Sequence, residues 1–281
     1  MAISVFDFPT AQFPRSEKLT NPGTPSCQNN ELIPADSESL AGQLPTAGEI
    51  AGEERSTLRE RVDCLMAAPL FDGLSRTEYL ELAAAAKEVW YSQGQTIFLQ
   101  DDPVRRVLVV ATGMVKVTQI SKSGKETLLR LERTGSLVDD VTGASQLHSL
   151  TARAMEPCRL LVWDASTFDN FSQRIVAIQR NATEIMRTRL RALQERFCDV
   201  TTQRVPQRLA RLVIQLAEEG IPGALSPIVL SREELAQMAG TSLFTVSRLL
   251  SSWADSDILT LGRKAVVIED LPRLLELGEV A

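Results

Sequence analysis

Residues 231–251, SREELAQMAGTSLFTVSRLLS, constrain the fold of this chain more than any other stretch. Ser231 and Glu234 have the spacing of a capping box, in which each side chain bonds the backbone N–H of the other residue. Gly240 stands where a sharp turn favours a residue that tolerates a positive φ, and Ser242 is suited to cap a second helix. We therefore predict two short helices joined by a tight turn.

The predicted second helix has two distinct faces. Its apolar positions recur at helical spacing and predict a buried side: Val246, Leu249 and Leu250. A helix-turn-helix of this kind places its second helix in the major groove of double-stranded DNA. The candidate DNA contacts on its outer side are Ser242, Leu243, Phe244, Ser247 and Arg248. An ordinary helical hairpin in a core is the alternative, but it does not require the whole set of offsets.

The next segment, ILTLGRKAVVIED, reads as two short β-branched runs around Gly262. This pattern predicts a β-hairpin, which is the wing of a winged helix-turn-helix. Arg263 and Lys264 at its tip are candidate phosphate contacts. The same residues would also suit a solvated turn, so the hairpin alone does not establish DNA binding.

Length and composition bound the remaining possibilities. A chain of 281 residues fits about two domains. Its longest apolar runs stay below the 18 or more residues of a membrane span, and MAISVFDFPT lacks the regions of a secretory signal, so we expect a cytoplasmic protein without a membrane partner. The cysteines at 27, 64, 158 and 198 are too far apart for a disulfide framework or a close zinc site, and no metal is expected.

The net charge of −6 argues, taken alone, against a nucleic-acid-binding protein. Residues 231–281 hold five Lys or Arg against eight Asp or Glu, so the helix-turn-helix region is also acidic. DNA binding must therefore depend on where a few cations point and on sharing the contacts between two subunits.

Composition divides the rest of the chain. Residues 1–58 hold six of the thirteen prolines in their first fifty positions and are predicted to be a disordered tail. Short amphipathic helices follow, in TLRERVDCLMAAPLF and LSRTEYLELAAAAKEV, and short β-rich runs begin near Val89. Glycines at 113, 124 and 135 mark tight turns between these runs. We predict one compact β-unit over residues 59–166.

A long helical pattern occupies residues 167–201. Its apolar positions are Phe171, Ile175, Ile178, Ala182, Met186, Leu190, Leu193, Phe197 and Val200. A helix that long needs a partner along its apolar stripe, and the same helix of a second copy gives a two-fold homodimer. The alternative is a helix lying against its own β-unit. Pro206 then opens a further helix, so residues 202–281 form the predicted DNA-binding domain.

The order of these parts resembles the Crp/Fnr family of bacterial transcription regulators, over about residues 59–275. The sharpest motif is LSREELAQMAGTSLFTVSRLLSSWADSDIL. The resemblance implies an α+β fold: an N-terminal cyclic-nucleotide-binding-like β-roll, or cupin-like jelly roll, then a long dimerisation helix and a C-terminal winged helix-turn-helix. It also implies that the β-roll is a sensor, and that RNA polymerase is a partner if the protein is an activator.

The sensor positions depart from the family pattern. Members that bind cyclic AMP hold its ribose and phosphate with a Gly-Glu pair and an Arg-Ser pair. Here Asp139 and Asp140 stand at the first pair, and His148 and Ser149 at the second. A neutral imidazole does not replace a forked guanidinium as a phosphate ligand, and the additional aspartate repels a phosphate. We keep these four as candidate effector residues but do not expect the usual cyclic AMP binding.

The cysteines and the single histidine bear on the other cofactors found in the family. The N-terminal half lacks the cysteine spacing of an iron–sulfur cluster, so that cofactor is not expected. Some members of the family bind haem, and His148, the one histidine of the chain, is a candidate axial ligand, but a lone histidine in a polar loop is expected to be solvated. Cys198 is a candidate redox thiol, with a buried, inert thiol as the expected state.

The predicted recognition helix departs as well. Many members place a glutamate at its third position, where this chain has Phe244, while Ser247 and Arg248 match the residues that follow. Arg248 suits guanine or phosphate, and Phe244 offers only an apolar contact, for example with a thymine methyl. The DNA half-site should therefore differ from the common sites of the family.

The sequence thus predicts a sequence-specific regulator that binds an inverted repeat as a homodimer. The alternative is a ligand-sensing module without operator-specific DNA binding. An enzyme is not expected, because we find no Ser/His/Asp order, phosphate loop or paired-carboxylate motif, and one histidine provides little acid–base capacity.

Overall fold

A computed structural model describes residues 57–122, 124, 126–139, 147–219, 224–262 and 265–279. The predicted tail, 1–58, lies outside the described residues apart from Thr57, which caps the first helix, and Leu58, which begins it. The helices are α1 (Leu58–Met66), α2 (Arg76–Ala85), α3 (Ala165–Arg174), α4 (Val176–Thr202), α5 (Val205–Glu218), α6 (Arg232–Ala239), α7 (Leu243–Ala254) and α8 (Leu271–Glu279).

Two antiparallel sheets form the predicted β-unit. Their strands are β1 (Lys87–Tyr91), β2 (Thr96–Phe98), β3 (Arg106–Thr112), β4 (Val115–Ile120), β5 (Glu126–Glu132), β6 (Thr151–Ala154) and β7 (Cys158–Asp164). One sheet has the order β1-β7-β3 and the other β2-β6-β4-β5. Residues of both sheets share one buried cluster, so the sheets pack face to face. The predicted α+β fold with a β-roll is confirmed.

Strands β3 and β7 of the first sheet are covered on both faces. On β3, Leu108 and Val110 face the core between the two sheets, whereas Val107 and Val109 face a second core under the helices. Successive side chains of a strand point to opposite faces, so a strand that is covered twice has to be apolar at every position. The unbroken run VLVVA meets this requirement.

Two of the predicted glycine turns depend on the absence of a side chain. Gly113 has φ +90° and Gly135 has φ +84°. A Cβ built on Gly113 would lie 2.6 Å from the Cβ of Cys158, and one on Gly135 would lie 2.8 Å from the Ala67 carbonyl oxygen. Close approach and the left-handed backbone both favour glycine at these turns.

The long helical pattern is interrupted once. It contains α3 and α4, separated at Ile175, whose backbone is extended. Phe168 before the break and Ile178 after it both lie in the core under the β1-β7-β3 sheet. The break lets the chain bury side chains from two helices in one core, so the prediction of a single helix from Phe171 to Val200 was wrong at this point. Within the described residues, no helix has the length and apolarity that a bilayer span needs.

The C-terminal part has its own core. It includes Leu209 and Val213 from α5, Leu235 from α6, and Val246 and Leu250 from α7. The last strands, β8 (Leu259–Leu261) and β9 (Val266–Ile268), pair antiparallel. The predicted hairpin after the helix pair is therefore confirmed. Its tip residues Arg263 and Lys264 lie outside the described residues.

Candidate functional site

The two helices of the predicted helix-turn-helix are α6 and α7. Ser231 and Glu234 form the predicted capping box, with the Ser231 N–H donating to Glu234 Oε2 at 3.0 Å and the Glu234 N–H donating to Ser231 Oγ at 3.2 Å. Gly240 ends α6 with φ +62°, the left-handed conformation that the turn requires. Ser242 accepts the Thr245 N–H at 3.1 Å and so caps α7.

The two faces of α7 differ as the sequence predicts. Val246 and Leu250 are fully buried in the C-terminal core. Leu243 and Phe244 are 49% and 76% exposed, Arg248 is exposed, and Ser247 is half-buried. The first turn of α7 contains no acidic residue. A helix N-terminus without a carboxylate attracts a phosphate, so this end of α7 suits the DNA backbone.

Arg196 of α4 and Arg208 of α5 donate hydrogen bonds to the C-terminal end of α6. Sequence reasoning missed this feature. Arg208 donates to the carbonyl oxygens of Ala239 at 2.7 Å and Gly240 at 3.0 Å. Arg196 donates to the Gln237 carbonyl at 3.1 Å and also to Leu128 of β5 at 3.0 Å. The bonds to Gln237, Ala239 and Gly240 supply donors at the C-terminal end of α6, where a helix runs out of its own N–H groups. A contact between distant segments leaves no local pattern in the sequence.

The candidate effector residues are only partly brought together. Asp139 and His148 are both buried, and His148 Nδ1 is hydrogen-bonded to Asp139 Oδ2. The ring of His148 stacks on Phe98, with centroids 3.8 Å apart and planes at 8°. Ser149 is exposed, and Asp140 lies outside the described residues. The expectation of a solvated histidine was wrong, because the imidazole has both a carboxylate partner and an aromatic ring to pack on.

Arg189 of α4 is a second missed residue near these positions. Its guanidinium donates to Glu132 Oε1 at 3.0 Å and to the carbonyl oxygens of Leu137 and Asp139. Both side chains of the Arg189–Glu132 pair are mostly buried. The long helix is therefore tied to the segment that contains Asp139.

The described cysteines differ in their surroundings. Cys158 is buried under the Gly113 turn, and this burial raises the pKa of its thiol to about 11. Burial also raises the pKa of Cys64. Cys198 on α4 is exposed in the single chain. The expectation of a buried Cys198 was wrong, because its position lies beside the apolar stripe of α4 and outside the cores of the chain.

Comparisons with known proteins agree with this arrangement. The family model described as the cyclic nucleotide-binding domain matches residues 88–174, and the one described as the Crp-like helix-turn-helix domain matches residues 207–277. The cyclic AMP receptor protein of Thermus thermophilus is 28% identical over 212 residues, which span 75% of this chain and 97% of that protein. The CRP-like cAMP-activated global transcriptional regulator of Mycobacterium tuberculosis is 26% identical over 227 residues, with 75% and 97% covered.

A solved structure supports the fold separately. FixK2 from Bradyrhizobium japonicum matches with a TM-score of 0.62 and 22% identity, over 70% of this chain and 98% of that one. A cyclic nucleotide-binding domain followed by a Crp-like helix-turn-helix domain defines a DNA-binding transcription regulator. The chain belongs to the Crp/Fnr family of transcription regulators. The Mycobacterium tuberculosis relative is named as a transcriptional regulator, and the Thermus thermophilus relative as a receptor protein.

Proposed function

We propose that the protein regulates transcription as a homodimer that binds an inverted-repeat operator through α7. The observation that carries this proposal is that the outer side chains of α7 are exposed, while the inner side chains anchor the helix in the C-terminal core. Two copies of α7 related by a two-fold axis meet successive major grooves, which lie about 34 Å apart on one side of the duplex. A bacterial regulator of this kind acts on chromosomal DNA in the cytoplasm and contacts RNA polymerase if it is an activator.

The homodimer is supported by the apolar stripe of α4. Four large side chains of this stripe are exposed in the single chain: Leu190, Leu193, Phe197 and Val200. Steps of three and four residues place them on one side of the helix. Three of them also line a cavity of about 510 Å³ that extends to α5 and α6. The same stripe of a second copy would cover these side chains and exclude water from the cavity.

Light scattering and operator binding test this proposal together. The wild-type protein should have a dimer mass at micromolar concentration, and selection from random DNA should return an inverted repeat. Phe197→Glu should weaken the dimer, because it places a charge in the stripe. Val176→Glu is the matched control, since Val176 is 72% exposed at the first turn of the same helix. A monomer mass for the wild-type protein, both free and with operator DNA, would contradict the homodimer.

Cyclic AMP is not the effector in this proposal. His148 stands where the family pattern has the phosphate-binding arginine, and its Nδ1 is already hydrogen-bonded to Asp139. A cyclic phosphate placed beside His148 would meet the buried carboxylate of Asp139, and the two negative charges would repel each other. Calorimetry should therefore show no tight binding of cyclic AMP, and a dissociation constant at or below micromolar would overturn this part of the proposal.

Neither haem nor an iron–sulfur cluster is part of the proposal. His148 is 5% exposed and packed against Phe98, so its ring offers little room for a porphyrin. An absorption spectrum of the freshly purified protein tests this directly. We expect a protein band without the visible bands of either cofactor, and a haem or cluster spectrum would contradict the expectation.

A further inference from the structure

Phe244 stands out among the apolar side chains of the chain. At 76% exposure, it is the most exposed large hydrophobic residue in the described part of the molecule. It lies in the first turn of α7, directly after Leu243, which is 49% exposed. Exposing two adjacent apolar side chains at the start of a recognition helix does not stabilise the described fold, so a role in binding is expected.

Within the described part of the chain, the position of Phe244 does not give it a packing role. The helix buries Val246, Leu250 and Trp253 on its inner face. Phe244 precedes Val246 by two residues, which is about 200° around an α-helix at 3.6 residues per turn. Its ring therefore points away from the core and toward the surface that the proposed function places against DNA.

The chemistry of the major groove limits what a phenyl ring recognises. The polar groups of the base edges need donors or acceptors, and phenylalanine has neither. The C5-methyl group of thymine is the apolar group that unmodified DNA presents in this groove. Polar neighbours on the same face, Ser247 and Arg248, remain available for adjacent base edges or phosphates.

We propose that Phe244 is a specificity-determining residue that reads a thymine methyl group in each operator half-site. The proposal rests on the proposed function, since it assumes that α7 enters the major groove. It implies that the recognised group is the methyl and not the A·T base pair as such. A 5-methylcytosine at the same position would present the same methyl and should be accepted better than cytosine.

Replacing thymine with deoxyuridine tests this proposal, because the exchange removes only the methyl and keeps the base pair. The operator comes from selection on the wild-type dimer, and each thymine is then exchanged in turn. The exchange in a single half-site should weaken wild-type binding by about fourfold, and the exchange in both half-sites by about fifteenfold, as expected from the transfer of one methyl-sized group from water at each site. Exchanges at the other positions should have little effect.

Variants of Phe244 assign the methyl contact to this side chain. Phe244→Ala should bind the thymine and deoxyuridine operators equally, whereas Phe244→Leu should keep part of the preference because it keeps an apolar contact. Phe244→Glu should shift the selected base toward cytosine, whose N4 amino group donates to a carboxylate. Because the wild-type ring is exposed, these variants should keep the circular dichroism spectrum and melting temperature of the parent.

The outcomes separate this inference from the proposed function. A wild-type dimer that selects an operator but shows no sensitivity to deoxyuridine at any thymine would overturn the role of Phe244 and leave the regulator intact. Loss of DNA bending in Phe244→Ala without methyl sensitivity would also overturn it, and would identify a wedge between base steps. A dimer that selects no sequence at all would overturn both.

Discussion

Lys116 on β4 lies 3.1 Å from the carboxylate of Glu234 on α6, so the β-roll is joined to the first helix of the helix-turn-helix by an ion pair. The two side chains are 21% and 17% exposed. Glu234 is also the capping-box partner of Ser231. One carboxylate therefore serves both the N-terminus of α6 and the contact between the roll and the DNA-binding part.

Lys116→Met should destabilise the chain by about 1 to 2 kcal/mol, between the values measured for exposed and for fully buried ion pairs. The matched control is Lys87→Met, which removes the partner of Asp164 at 2.9 Å in a pair that is 70% and 54% exposed. The control should cost less than about 0.5 kcal/mol. Urea denaturation gives the free energy of unfolding of both variants. Equal losses would show that the ion pair between the roll and α6 adds no more stability than an exposed pair.

Acid should weaken the same contact. Burial raises the pKa of Glu234, but hydrogen bonds from Ser231 and the charge of Lys116 outweigh it, and the net pKa is lowered. The stability that Glu234 contributes is therefore present above the unfolded value of about 4.3, and is lost as the pH falls through the lower folded value. Denaturation curves from pH 7 to pH 3 should show a steeper loss for the wild type than for Glu234→Gln.

Glu78 provides the control for this pH dependence. It forms the same capping box with Ser75 at the start of α2, and its hydrogen bonds with Ser75 lower its pKa. Its carboxyl is less buried than that of Glu234, so Glu78→Gln should change the pH profile less than Glu234→Gln. The reverse order would show that burial beside Lys116 does not set the sensitivity to acid.

Arg248 should contact a base edge, whereas Arg263 and Lys264 of the wing should contact only the DNA backbone. Arg248→Ala should cost about 1 to 3 kcal/mol of binding and relax the preference at one base pair, if the contact is to guanine. Neutralising Arg263 and Lys264 should weaken all sequences alike and flatten the salt dependence by up to about two units of slope. Selection from random DNA decides between these roles. An unchanged preference in Arg248→Ala would make that residue a phosphate contact, and a changed preference in the wing variant would contradict the division.

His148 should matter for stability whatever the sensor binds. His148→Ala removes a stacked ring and leaves the buried Asp139 carboxyl without this hydrogen-bond partner, and the two losses together should cost about 3 kcal/mol. Ser149→Ala is the neighbouring control at an exposed position and should be close to neutral. Thermal melts of the two variants check this, and similar melting temperatures would be inconsistent with a structural pair.

Native thiol labelling should separate the described cysteines. Cys158 is buried with a pKa of about 11, so its thiol stays protonated and shielded near neutral pH. Cys198 is exposed and should react first with iodoacetamide, with Cys64 slower because it is half-buried. Peptide mass spectrometry at timed intervals measures the order. Early labelling of Cys158 in the folded protein would contradict it.

Local patterns determined much of this fold. The capping box at Ser231, the positive φ at Gly240 and the cap at Ser242 depend on residues at most four positions apart, so the sequence alone predicted α6, the turn and α7. The apolar spacing of α7 also predicted which of its faces is buried. The break at Ile175 was missed, because the helical period continues on both sides of it.

Long-range packing decided the rest. The Asp139–His148 pair, its stacking on Phe98, and the arginines that hold α6 join segments that are distant in the chain. Neither residue type nor spacing distinguishes a buried His148 from a solvated one, since the difference lies in which side chains the folded roll brings beside it. The sequence by itself therefore determined the local elements and the family. Only the tertiary structure decided which charges are paired, which side chains stay exposed, and how the roll contacts the DNA-binding helices.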